Sequence, residues 1–183
     1  MIKHDEIKLH TVAGRASYHD LREDLVEITH KSGLKDGLMT ITTPHTTCSF
    51  FYEETMHDVN YFGDDLLHVD INEVMEKIAP MMVTEGQYHS PGPEHIAFGT
   101  SLSDPNYPAE KWVMLNTNAH LKASIYGTNS QSLILKNGEL QIGSLGRVYF
   151  VDWDRLRERD RTINVVMMGN RFNERVYFGA FVI

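Results

Sequence analysis

The chain predicts an α+β fold, with mostly antiparallel sheets in a β-sandwich-like core and a few helices. Three observations point there. Short runs in which apolar and polar residues alternate recur along the chain, the pattern of half-buried strands. Asn137-Gly138 sits between two such runs, and this pair favours the tight turn that makes its neighbours antiparallel. Regular helices do not separate the strands, as a doubly wound parallel sheet would require.

The first strand is predicted over Glu6 to Val12, where Ile7, Leu9 and Thr11 alternate with polar neighbours. Leu21, Leu25, Val26 and Ile28 then take helical spacing, with His19-Asp20 as a start and Ser32-Gly33 as a stop. Asp36-Gly37 reads as a turn, and Leu38 to Thr43 as a strand. Cys48 to Tyr52 predicts the next strand. Asp64 to Ile78 carries Leu66, Leu67, Ile71, Val74, Met75 and Ile78, an amphipathic helix ended by Pro80. Met81 to Lys111 has four prolines, Pro91, Pro93, Pro105 and Pro108, and little periodicity, so it reads as a long loop. Asn116 to Tyr126 predicts a short helix, capped by Asn116 or Thr117 and closed by Gly127. The remainder reads as strands: Ser132 to Leu135 and Leu140 to Ile142 around the hairpin turn, Val148 to Val151, Ile163 to Met168, and a terminal strand over Arg175 to Ile183.

With 183 residues the chain is expected to form one domain, 1–183, large enough for a core without staples. Its single cysteine, Cys48, allows no internal disulfide, which fits a reducing compartment, and a cytoplasmic location is expected. The N-terminus lacks the apolar stretch of a secretory signal, and no run is long enough to span a bilayer. A net charge of -8 gives no global attraction to nucleic acid, so neither nucleic acid nor membrane is an expected partner. Ten histidines are many for this length, and histidine is both the commonest metal ligand and the side chain that titrates near neutral pH.

Five constellations carry candidate chemistry. Pro44-His45-Thr46-Thr47 is a polar cluster between two strands, in which His45 is either a ligand or acid/base, or an ordinary loop residue. In Asn116 to Ser124, His120 and Ser124 share a helix face at i,i+4 with Asn116 one turn earlier, a pocket wall or a solvated stripe. Tyr88-His89-Ser90-Pro91-Gly92-Pro93-Glu94-His95 places two histidines in a stiffened loop. Glu54 and Asp58 follow His45 and are acidic enough to orient a ligand or take a proton, though most acids there read as a helix face. If Asp152 to Arg161 is extended, Arg155, Arg157, Arg159 and Arg161 all face one side. That is either a guanidinium stripe for phosphate or carboxylate, or a charged edge that blocks aggregation.

Taken in order, these segments resemble the YjbQ family of small proteins. The resemblance rests on His45-Thr46-Thr47 with Glu54, Asp58 and Asp64, on Ala119-His120-Leu121-Lys122-Ala123-Ser124, and on Asn137-Gly138-Glu139-Leu140-Gln141-Ile142-Gly143. It covers about residues 5–169 and leaves 170–183 as an extension. Gly143-Ser144-Leu145-Gly146 departs from the family's Gly-Thr-Trp-Gln, and the segment before His120 is longer than usual. Either His89 or His95 then replaces the family's loop histidine, and His95 is preferred. The resemblance implies a homotrimer and a pocket in which His45, His95 and His120 bind a divalent metal, expected to be zinc. It also implies activity like that of a secondary thiamine-phosphate synthase.

Two functions follow as expectations. The first is an enzyme acting on a small, phosphorylated substrate. Its catalytic set is Glu54, Asp58 and Asn118, and Lys122, Ser124, Arg155 and Arg157 bind the anion. The metal would acidify water or polarise a substrate oxygen. The second is a non-catalytic metal- or anion-binding homotrimer.

Overall fold

The computed structural model describes residues 1–102 and 110–171. Strands β1 (Ile2–Thr11), β3 (Leu34–Thr42), β5 (Ser130–Lys136), β6 (Glu139–Leu140) and β8 (Arg159–Arg171) form one sheet in the order β1-β8-β3-β5-β6. Strands β2 (Ser17–Asp20), β4 (Cys48–Glu54) and β7 (Gly146–Asp152) form a second, in the order β2-β7-β4. Every strand pairing in both sheets is antiparallel. Four helices complete the described chain: α1 (Arg22–Ser32), α2 (Leu66–Ile78), α3 (Pro93–Ser101) and α4 (Thr117–Ile125). The fold is therefore α+β, as the alternating pattern predicts.

The two sheets face each other across one core. Met39, Ile41, Leu135, Ile163 and Met167 enter it from the larger sheet, Phe50, Val148 and Phe150 from the smaller, and Leu21 and Leu25 close one end. Each such large side chain, fully buried, contributes about 1.5–3 kcal/mol. Because side chains alternate along a strand, the smaller sheet has a second apolar face. Phe51, Tyr149, Val151 and Trp153 pack there against Ile71 and Met75 of α2 and Ala119 of α4. β4 and β7 are thus covered on both sides, and their contiguous buried runs reflect it.

Local signals explain most boundaries. Asp20 accepts a hydrogen bond from the Arg22 amide at 2.9 Å, and α1 ends at Gly33 in the left-handed conformation, φ 65°. Asp65 caps α2 by accepting from the Leu67 amide, and the helix stops before Pro80. Asn137 and Gly138 both have positive φ, 54° and 82°, which is what a tight hairpin turn demands.

Two expectations are corrected. Asp36-Gly37 is not a turn but part of β3, next to a register irregularity between Leu34 and Asp36. A Cβ at Gly37 would lie 2.0 Å from the Met168 carbonyl oxygen, so the glycine serves the close approach of β3 and β8. The span Met81 to Lys111 is not wholly loop, since it contains α3 and leads into a 3-10 turn, Lys111–Met114. Pro93 starts α3, where a missing N–H costs nothing, and Gly99 lets the Met114 side chain lie against the helix. The predicted terminal strand over Arg175 to Ile183 lies outside the described residues.

Candidate functional site

Three segments far apart in sequence meet at the head of β7. Register places Cys48, the start of β4, opposite Asp152, the end of β7. Asp152 is fully buried, and a charge there needs partners on every side. It accepts from Thr47 Oγ1 at 3.1 Å, Thr11 Oγ1 at 3.3 Å, the Asp154 amide at 3.0 Å and Arg161 Nε at 2.6 Å. Arg161 Nη2 also donates to Thr47 Oγ1 at 3.2 Å. The His45-Thr46-Thr47 segment is thereby locked to the entry of β8.

Asp154 repeats the design two residues on. It is buried, and it accepts from Arg159 Nη2 at 2.9 Å, from Asn116 Nδ2 at 3.1 Å and from the Leu156 amide at 3.0 Å. Asn116 precedes α4, so Asp154 fixes the helix that carries His120. The His120 ring lies against the Thr46 backbone, with Asp154, His95 and Arg159 near enough to act on its charge. Burial above all holds its pKa below that of a free histidine. His45 is lowered as well, by burial and then by the Arg161 guanidinium. Its Nε2 accepts from the Thr162 amide at 2.9 Å, and its Nδ1 lies 3.5 Å from Arg161 Nη1.

Arg159 is the least satisfied member of this cluster. Its side chain is 16% exposed and is held by Asp154 through Nη2, while Nη1 is buried without a hydrogen-bond partner. Burial, with the nearby Arg157 and Arg161 charges, pulls its pKa down despite Asp154. Alternation along the strand is visible here. Arg159 and Arg161 point to the histidine cluster, whereas Glu158 and Asp160 reach His10 on the other side.

The structure thus sets His45 and His120 around Arg159, with His95 near enough to His120 to act on its charge, and places Arg157 beside Arg159, half-buried. Other residues named from sequence fall elsewhere. Glu54 is exposed at the far end of β4, opposite Gly146, about 20 Å along the strand from Cys48 at roughly 3.4 Å per residue. Asp58 is exposed beyond it, where its carbonyl receives the Leu66 amide. Within one chain these two carboxylates do not share the pocket of His45. Asn118 is buried and accepts from the Met82 amide at 3.3 Å. Lys122 is buried and paired with Glu76 at 2.5 Å, and Glu76 also holds Arg155 at 3.5 Å. Ser124 is exposed, its hydroxyl turned back to the His120 carbonyl. Sequence reasoning passed over Asp152, Asp154 and Thr11. The acids and arginines of 152–161 were the available signal, but the segment is not one extended stripe: it leaves β7 at Asp152 and enters β8 at Arg159, which brings Asp152 to Arg161 and Asp154 to Arg159 while Arg155 turns to Glu76.

The expected zinc triad does not fit one chain's geometry. Among the described residues no group of three or more His, Cys, Asp or Glu side chains stands close enough to hold a metal ion. His45 Nε2, moreover, already has its lone pair engaged by the Thr162 amide.

Fold and site together define a class: a two-sheet antiparallel α+β protein with a histidine–arginine cluster at the mouth of its smaller sheet. The family model described as UPF0047 protein YjbQ-like matches residues 5–170, and the chain belongs to that family. A UPF0047 protein of Archaeoglobus fulgidus is 30% identical over 125 residues, covering 68% of this chain and 74% of its own length. One from Methanocaldococcus jannaschii is 26% identical over 152 residues, covering 79% and 86%. The solved structure of an uncharacterized conserved YjbQ/UPF0047 family protein of Clostridium acetobutylicum superposes with a TM-score of 0.61 at 24% identity, covering 88% of this chain and 99% of that one. A protein of unknown function from Sulfolobus solfataricus gives 0.63 at 20% identity, covering 93% and 100%. Among the described residues no helix is long and apolar enough to cross a membrane.

Proposed function

We propose that the His45–His120–Arg159 cluster binds the phosphate of a small phosphorylated substrate and that the protein is an enzyme acting on it. The observation that carries this reading is Arg159 Nη1, a buried cationic donor with no partner, set beside two imidazoles whose pKa values are lowered. A phosphate oxygen supplies the acceptor that this guanidinium lacks, and arginine suits such an oxyanion. His120, uncharged near neutral pH, is the group able to take a proton from a substrate hydroxyl or water. His45 is engaged by the Thr162 amide and serves to shape the site. A reaction like that of a secondary thiamine-phosphate synthase is compatible with this arrangement, and formation of thiamine phosphate, the product of such an enzyme, is a natural first assay.

Titration calorimetry with inorganic phosphate tests the reading. Wild-type protein is expected to bind it, and Arg159→Met to bind at least about tenfold more weakly, the cost of one charge-assisted hydrogen bond. Equal affinity in the two proteins would remove Arg159 from the role.

Two further parts of the reading concern assembly and metal. The outer face of the larger sheet carries an exposed apolar row across four strands. Register pairs Ile2 with Met168, Met168 with Leu38 and Leu38 with Ile134, each about half exposed. Such a row supports self-association as a homotrimer. His95 and His120 supply two neighbouring imidazoles, so a zinc ion would need a further donor, from another copy of the chain.

A further inference from the structure

A second cleft, separate from the histidine–arginine cluster, lies between β2 and the start of α2 and has a volume of about 350 Å³. Arg15, Tyr18, His19, Asp64, Asp65 and His68 are among its lining residues. β2 is the outer strand of the smaller sheet, so the cleft follows an open strand edge. His68 is 6% exposed. Its ring stacks on Tyr18, centroids 4.2 Å apart and planes 5° apart, and Tyr149 meets it edge-on at 4.6 Å. Its Nε2 is nevertheless buried without a partner, and the same is true of His19 Nε2. His19 lies on the other face of β2, against Phe150, so His68 Nε2 is the orphaned nitrogen on the α2 side of the cleft, desolvated without compensation, an expense that native interiors seldom carry.

The chemistry around it is one-sided. Burial keeps His68 uncharged, although Asp65, Asp64, Asp20 and Glu53 all favour its proton. Arg15 pairs with Asp64, and Arg147 with Asp20 at 3.0 Å. The remaining field is acidic, and the walls are aromatic. An anion is repelled there. A metal ion is not indicated, because among the described residues no three ligating side chains come together. A ligand with a positive charge, an N–H to give and a flat apolar body satisfies the neutral imidazole, the carboxylates and the aromatic walls at once.

We propose that this cleft is a binding site for a small aromatic ammonium ion, which donates to His68 Nε2 and is held by the charge of Asp65. Benzylammonium is a suitable probe, with phenylacetate as an anion of similar size. Imidazole ¹H–¹⁵N spectra of the full chain should show saturable shifts of His68 with benzylammonium and none with phenylacetate. His68→Phe keeps the ring stack and removes the nitrogen, and it should weaken binding by about tenfold. Asp64→Asn, at a more exposed position, leaves the Arg15 cation unpaired in the cleft, should weaken binding too, and serves where the core variant does not fold. Affinity for inorganic phosphate at the other cluster should stay unchanged in both. Absence of saturation, equal binding of phenylacetate, or undiminished affinity in the variants would overturn the proposal.

Discussion

Asp152 shows how a single residue organises the candidate site. It has no contact with water, yet four donors from Thr11, Thr47, Asp154 and Arg161 converge on it. Removing its charge leaves the Arg161 guanidinium buried without a counter-charge. Asp152→Asn is therefore expected to cost about 3–5 kcal/mol, read as a lowered urea midpoint with an unchanged slope. An unchanged midpoint would show that Arg161 finds compensation elsewhere. His45 and His120 were candidates by residue type alone, and it was the resemblance to the YjbQ family that set them in one site. Asp152 was not, because an acid amid arginines reads as a solvated edge until strand register puts it opposite Cys48. The same blindness affected Lys122, whose type suggests a surface cation but whose side chain is buried against Glu76. Side-chain type reports chemistry; only tertiary packing reports which way that chemistry faces.

At the scale of elements, periodicity carried the reading wherever one face meets the core. β8 alternates buried and open positions over its length, and α1 begins and ends at the residues whose chemistry caps it. Alternation lost its value where both faces are covered. β4 and β7 read as plain apolar runs, and nothing local tells that α2 and α4 lie over their second face. Asp36-Gly37 misleads for a related reason. The dipeptide is a good turn former, but Gly37 is needed for the approach of the β8 backbone, and Asp36 accepts from the Asn137 amide at 2.9 Å. α3 escaped because its apolar positions are few, and Gly99 is its one buried residue. The distance between Glu54 and His45 was lost in the same way. Nine residues look close in sequence, yet most of the interval is an extended strand that carries the acid to the opposite end of the sheet.

For the whole molecule, the described residues cover one face of the sandwich with helices and leave the outer face of the larger sheet open. The open face bears the Ile2–Met168–Leu38–Ile134 row, and its burial between copies is the simplest use for it. Light scattering is expected to give wild-type protein a mass three times the 21.0 kDa of one chain, and Leu38→Asp a smaller one. A wild-type mass of a single chain would leave that row unexplained. At the other end of the molecule the His45–Thr47 segment, α4 and β8 converge around the Arg159 guanidinium, whose Nη1 lacks a partner. The most direct test of phosphate binding there is a crystal structure of the protein grown with inorganic phosphate. A phosphate oxygen is expected within hydrogen-bond distance of Arg159 Nη1, with the His120 ring beside it. Phosphate bound elsewhere, with Arg159 Nη1 still unpartnered or turned to a protein acceptor, would contradict it.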